Sequence, residues 1–244
     1  NKKLTETFGN EFKEVIIGGA ALNPEAEEFF KKIGFRFTVG YGMTECAPLI
    51  SHAFWDEFKL HSVGKVLPTM EAKILSNDPQ NEVGEILVRG ENVMLGYYKN
   101  EEATRLALDE DGWLHTGDMG TMDYDGTIYI KGRNKNMLLG PSGQNIYPEE
   151  IENKLNNMPF VLESLVLQNA ENKLVALVVP DYDAMDEAKL TTKDLELVME
   201  ENRKALNETT AAYESITKIQ IYPSEFEKTP KKSIKRFLYV NQLK

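Results

Sequence analysis

The 244 residues carry 28 Lys and Arg against 39 Asp and Glu, a formal charge of −11. Nonspecific nucleic-acid binding works by neutralising phosphates with basic residues, so this balance excludes it and no nucleic-acid partner is expected. The one cysteine, Cys46, permits neither an internal disulfide nor a cysteine-based metal cage and fits a reducing, cytoplasmic setting.

No apolar run reaches the ~18 residues of a membrane span, which leaves peripheral membrane association as the one kind open. No signal peptide opens the chain. Residues 1–19 read as a helix end running into a buried strand. The chain lacks an initiator methionine and is expected to be a piece of something longer. Glu14–Ile17 is an apolar strand broken by Gly18-Gly19. Asn23 and Pro24 supply a cap and a first-turn proline for a helix that Gly34 ends. Phe35–Val39 forms the next strand, turned by Gly40-Tyr41-Gly42. In open α/β sheets, ligands bind beyond the carboxyl ends of the strands. Both glycine loops therefore fall on a ligand-bearing edge.

From 62 to 132 the pattern changes to short strands with glycine turns, predicting a mostly antiparallel sheet or distorted barrel. One helix is expected near Glu101–Leu108, and Trp113 is expected in the core. Asp125-Gly126 reads as a two-residue hairpin turn, which sets Asp118 opposite Arg133. Beyond Lys135 comes a helix from Pro148 to about Met158, then strands at Leu162–Gln168 and Leu174–Val179. A second helix, capped by Thr191 or Thr192, runs to about Leu206, and a strand follows at Ile216–Tyr222. The tail at 227–237 is basic and loop-like. The fold class is thus α/β plus α+β. It comprises a partial α/β sheet portion at 1–61, a small β-rich, barrel-like portion at 62–134, and a compact α+β domain at 135–244.

Several of these segments carry chemistry. Gly18, Gly19 and Ala20 allow close backbone approach to a flat ligand, or form an ordinary turn. Tyr41 offers an aromatic face. Thr44 and Glu45 offer the oxygen donors that a phosphate and its Mg²⁺ require, or begin a capped helix. Asp118 suits two ribose hydroxyls, or pairs with Arg133 across the hairpin.

The order GGAA (18–21), YGMTE (41–45), TGD (116–118) and KGRNKNMLLGPSGQNIYPEEIE (131–152) resembles the adenylate-forming enzymes: acyl-CoA synthetases, peptide-synthetase adenylation domains and luciferases. YGMTECAP, the Gly143–Glu152 run and the KTP…IKRFLY tail are most similar to bacterial long-chain fatty-acid–CoA ligases. The resemblance implies ATP, a fatty acid and CoA as substrates, AMP as the bound product, and Mg²⁺. It implies that Gly19, Ala20 and Gly42 lie against the nucleotide and that Tyr41 stacks on adenine. Thr44 would touch the α-phosphate and Glu45 would hold Mg²⁺. Asp118 and Arg133 would grip the ribose, with Ile130 as core or pocket wall. Lys135 takes the hinge position and Gly143 the place where a pantetheine thiol passes.

The tail departs from the family's TPTGKIKR-like pattern. Over Thr229–Arg236, gapless alignment sets Ser233 where the first lysine belongs. The neighbouring Lys232 is expected to serve instead, and Lys235 matches the second lysine. Neither a Walker loop nor the family's phosphate loop occurs here, so these residues alone are not expected to turn over. Transfer to a carrier-protein pantetheine, or a nonenzymatic scaffold, are the alternatives.

Overall fold

Asn23 and Pro24 act as their chemistry dictates. The Asn23 side chain accepts from the backbone N–H groups of Glu25 and Ala26, starting a helix at Pro24. Such a cap is worth about 1 kcal/mol. Gly34, at φ +65, ends it in the left-handed conformation that glycine tolerates best. The computed structural model describes residues 2–9, 11–230 and 233–243, which divide into two compact units, 1–135 and 136–244.

In the first unit, α1 (Lys2–Thr7) leads to β1 (Val15–Ile17), α2 (Pro24–Lys32) and β2 (Phe37–Val39). The strands β1 and β2 pair in parallel, Val15 against Phe37 and Ile17 against Val39, with α2 as the crossover. Phe30, Phe35, Phe37 and Phe58 pack beneath. Contrary to expectation, β1 is not buried on both faces, for Ile16 is 59% exposed. β3 (Tyr41–Gly42), β4 (Leu49–His52) and β5 (Lys65–Val66) form a three-stranded antiparallel sheet.

β6 (Met70–Leu75), β7 (Gly84–Gly90), β8 (Leu114–Met122) and β9 (Ile128–Arg133) form a second antiparallel sheet in that order, with α3 (Glu101–Ala107) between β7 and β8. Among the described residues nothing pairs β6 with β9, so the sheet is open and the barrel form of the expectation is corrected. Ile74, Ile86, Val88, Leu114 and Ile128 are among its buried apolar residues. Trp113 is not core either. It is half-buried, with Lys73 Nζ 4.0 Å and the Arg89 guanidinium 4.6 Å from its ring centre, because a ring face attracts cations.

The β8–β9 hairpin corrects the turn while keeping its consequence. Asp123 N–H donates to the Thr127 carbonyl at 2.9 Å, and Gly126 sits at φ +81, so the loop holds Tyr124, Asp125 and Gly126. That is a three-residue loop with a left-handed glycine, not a two-residue turn. A bulge at Lys131 then shifts the register between the pairs Gly120–Ile130 and Met119–Gly132. The two offsets cancel, and Asp118 faces Arg133 after all.

The second unit contains the short hairpin β10 (Leu138–Leu139) and β11 (Asn145–Ile146), followed by α4 (Pro148–Leu155). β12 (Val161–Gln168) and β13 (Leu174–Pro180) pair antiparallel. Next come α5 (Tyr182–Glu187), which the sequence reading missed, α6 (Thr192–Glu208) and β14 (Ile216–Ile221), which pairs parallel to β13. Thr191 is the cap of α6, in a reciprocal box with Asp194. Every residue of the central strand β13 is buried. One face of this sheet packs on α4 and α6 through Ile151, Leu155, Leu195, Met199 and Leu206. Phe226 and Tyr239 from the tail cover Leu165, Leu177 and Val179 on the other. Phe226 and Tyr239 thus pack on either side of 227–237, while the described residues of that segment are half-buried or exposed, in keeping with a basic loop.

Candidate active site

The site starts where β1 and β2 end. Gly40 N–H donates to the Ile17 carbonyl at 2.9 Å, which brings the two glycine loops side by side. A Cβ on Gly18 would lie 3.4 Å from the Gly40 carbonyl, an ordinary contact. Gly19 is at φ +87 with open space around it, so its glycine character answers to the backbone; Ala20 beside it is exposed. Gly42 has a different reason. A Cβ there would meet the Pro48 carbonyl at 2.2 Å, so the close approach of β3 to β4 demands glycine.

Tyr41 follows at once. Its ring is only 8% exposed, and its hydroxyl donates to Asp118 Oδ2 at 2.6 Å across 77 positions of sequence. Arg133 Nε lies 2.9 Å from the other oxygen, Oδ1. Asp118 is buried, whereas the Arg133 side chain is 52% exposed, so the pair opens on the arginine side. An ionised carboxylate oxygen can accept two hydrogen bonds. Burial first, then the Asp118 charge and hydrogen bond, push the Tyr41 phenol well above its ordinary range, so it stays a donor. Sequence reasoning brought Asp118 and Arg133 together and offered Tyr41 as a ring; it missed the hydroxyl that joins Tyr41 to Asp118.

Thr44, Glu45 and Cys46 form one turn of 3-10 helix, and Met43, not Thr44, precedes it without a side-chain cap. The helix-cap explanation of Thr44 therefore fails, and its side chain is exposed. Glu45 is half-buried; Tyr97 donates its hydroxyl to Oε1 at 2.9 Å, and the Glu45 carbonyl accepts from Met94 N–H at 2.7 Å. Burial, then Glu45, raises the Tyr97 phenol. Tyr97 was not legible, because nothing local in its sequence points 52 positions back to Glu45. Cys46 is fully buried and its thiol is pushed up to about 11, by burial first and Glu45 second. Among the described residues no group of three or more His, Cys, Asp or Glu is set to hold a metal ion. A lone carboxylate still suits Mg²⁺, which binds through one or two carboxylates together with substrate phosphates and water.

Ile130 is half-buried against the apolar cluster of the open sheet. Lys135 is exposed within a 3-10 turn at Asn134–Asn136, the last residue of the first unit. In the second unit, Gly143 sits at φ +83 in the β10–β11 turn, with nothing within 4 Å of a Cβ. Lys232 lies outside the described residues. Ser233 N–H donates to Thr229 Oγ1 at 3.3 Å, and Lys235 Nζ lies 3.0 Å from Glu227.

A family model described as AMP-binding enzyme matches residues 2–98, and one described as AMP-binding enzyme C-terminal domain matches residues 136–244. The long-chain-fatty-acid–CoA ligase FadD15 of Mycobacterium bovis is 30% identical over 96% of the chain and 41% of its own length. Among solved structures, ATP-bound MatB from Rhodopseudomonas palustris is 28% identical with a TM-score of 0.79, over 98% of this chain and 48% of that one. The AMP complex of O-succinylbenzoate coenzyme A synthetase from Bacillus subtilis is 26% identical with a TM-score of 0.77, over 97% and 48%. The chain thus spans under half the length of these relatives.

Proposed function

We propose, for a chain that belongs to the family of AMP-binding enzymes, that it is the carboxyl-terminal part of an ATP-dependent acid–CoA ligase acting on long-chain fatty acids. One observation carries this reading: Tyr41, Asp118 and Arg133, far apart in sequence, meet at the end of the glycine-bordered strands. A buried carboxylate, which accepts hydrogen bonds, beside an exposed guanidinium, which donates them, is a fitting grip for ribose hydroxyls. Gly19, Ala20 and Gly42 line the approach, the Tyr41 ring serves adenine, and Ile130 closes the pocket wall. The likeness to FadD15 supports the fatty acid; the likeness to an O-succinylbenzoate synthetase supports only an acid of some kind.

In this mechanism a carboxylate oxygen of the acid attacks the α-phosphorus of ATP. The bond to the β-phosphate breaks, and pyrophosphate leaves with the electron pair. Thr44 orients the α-phosphate by its exposed hydroxyl, and Lys232 supplies positive charge as the new bond forms. Glu45 would hold Mg²⁺, which would supply positive charge to the phosphates. In the second half-reaction the CoA sulfur attacks the acyl carbonyl, its proton goes to solvent, and AMP departs. Gly143 leaves bare backbone for the pantetheine arm. Lys135 absorbs the backbone rotation between the two half-reactions, as hinges do at a few positions. A cytoplasmic location, with any membrane contact peripheral, belongs to the same reading.

ATP–pyrophosphate exchange by the full-length protein, with acids of short, medium and long chain, tests this directly. Exchange that rises with chain length, followed by CoA-dependent release of AMP, is expected. Exchange without CoA transfer but with transfer to a holo carrier protein would change the acceptor. Ser233 at the family's lysine position gives weight to a scaffold without chemistry, and no exchange with any acid would establish that reading.

A further inference from the structure

Asp118 does not reach Tyr41 by ordinary strand geometry. Between the pairs Glu85–Met119 and Leu87–His115, β7 contributes one residue, Ile86, while β8 contributes three: Thr116, Gly117 and Asp118. That is a bulge of two residues, and bulges re-aim side chains. Three hydrogen bonds within and beside it are defined. Thr116 Oγ1 donates to the Ile86 carbonyl at 2.7 Å and accepts from Asp118 N–H at 3.1 Å. Gly117, at φ +70, has its N–H turned out of the ladder and donates to Glu85 Oε1 at 3.0 Å. The other Glu85 oxygen lies 2.9 Å from His115 Nδ1, and Asp109 stands 4.0 Å from His115 Nε2. The Glu85 side chain is mostly buried, so little water can replace it as the acceptor.

We propose that Glu85 is a positioning residue for Asp118: by holding the Gly117 N–H and the His115 ring, it fixes the bulge that aims Asp118 and thereby sets selectivity for nucleotides bearing both ribose hydroxyls. The inference rests on the reading of Asp118 as the ribose group. Small misplacements of a gripping residue are expensive, so an effect of about tenfold on that selectivity is expected.

The test compares ATP with 2′-deoxy-ATP and 3′-deoxy-ATP in pyrophosphate exchange by the full-length protein, for the parent, Glu85→Ala, Asp118→Ala, the double variant and Glu85→Gln. Glu85→Ala should narrow the preference for ATP by about tenfold through KM for the nucleotide, and the double variant should lose no more than Asp118→Ala, since the two act as one unit. Glu85→Gln keeps a carbonyl acceptor for Gly117 and should restore most of the preference. If Glu85→Ala fails to fold, Glu85→Met keeps the side-chain length without the acceptor and takes its place. Equal losses with ATP and both deoxy analogues would make Glu85 merely structural and overturn the inference, leaving the Asp118 reading standing. A parent that does not distinguish ATP from its deoxy analogues would overturn both.

Discussion

Each unit contains a buried carboxylate clasped by an arginine, and the two are spent differently. In the second unit Glu152 takes the Val166 N–H on Oε1 at 2.6 Å and Arg236 on Oε2. Arg236 also donates to the Val166 carbonyl at 3.2 Å, and its side chain is 16% exposed. The pair is enclosed and its bonds tie tail to helix to strand. In the first unit Asp118 is as deeply buried, but Arg133 stands half in solvent and Tyr41 replaces the backbone as the second donor. The same ion pair is a fastener where both partners are sealed in. Where one side stays open, as at Arg133, the pair still meets solvent.

The comparison breaks most visibly at the fastener. Glu152→Ala leaves the Arg236 charge buried without its partner, which costs about 3–5 kcal/mol. Amide exchange in β12 and β13 should report that loss, together with earlier release of the packed tail around Phe226 and Tyr239. A change below about 1 kcal/mol would show that water or Glu149, 3.8 Å from Arg236, takes over the pairing.

Tyr41→Phe sharpens the other side. The ring is kept, so its contribution to the apolar cluster stays, while Asp118 Oδ2 loses its donor. A hydrogen bond to a charged group is worth about 1.5–3 kcal/mol, and a fall of that size in the stability of residues 1–135 is expected in urea denaturation. AMP affinity should fall less than in Asp118→Ala, since the carboxylate itself persists. Equal losses of affinity in the two variants would mean that the hydroxyl, rather than the carboxylate, meets the ligand.

How much of this was readable in advance follows from how local each signal is. The Asn23 cap, the Pro24 start and the Gly34 stop depend on neighbours within four residues, and they appear where the sequence puts them. Asp118 opposite Arg133 was read from a turn that is not the one formed; the three-residue loop and the Lys131 bulge each shift the register by one, in opposite senses. Glu85 and Tyr97 gave no signal, because their partners are set by strand pairing and loop packing 30 or more positions away. The basic, loop-like character of 227–237 was readable from its composition, while Phe226 and Tyr239, which pack on either side of it, stand too far apart to form a periodic pattern.

The smallest expected effect belongs to a third carboxylate, which has neither burial nor a sealed partner. Asp125, at the β8–β9 loop, accepts from Thr127 N–H at 3.2 Å and lies 3.1 Å from Lys59 and 3.5 Å from Lys65. Hydrogen bonding from Thr127 and the Lys59 ammonium hold its carboxyl below the ordinary value of 3.8. A carboxylate held low when folded gives the unfolded chain the greater appetite for protons in acid. Its contribution is therefore complete above pH 3.8 and is lost as the pH falls through the folded value. The side chain is 40% exposed, so solvent screening keeps this under about 1 kcal/mol. Urea midpoints taken from pH 6 down to pH 2 should fall less steeply for Asp125→Asn than for the parent, and about 1 M salt should shrink the difference. If the two curves stay parallel in acid at low salt, the loop is held by its backbone alone, through Gly126 and the Asp123–Thr127 bond. Burial, rather than the presence of a cation, would then separate the carboxylates that matter in this chain from the ones that do not.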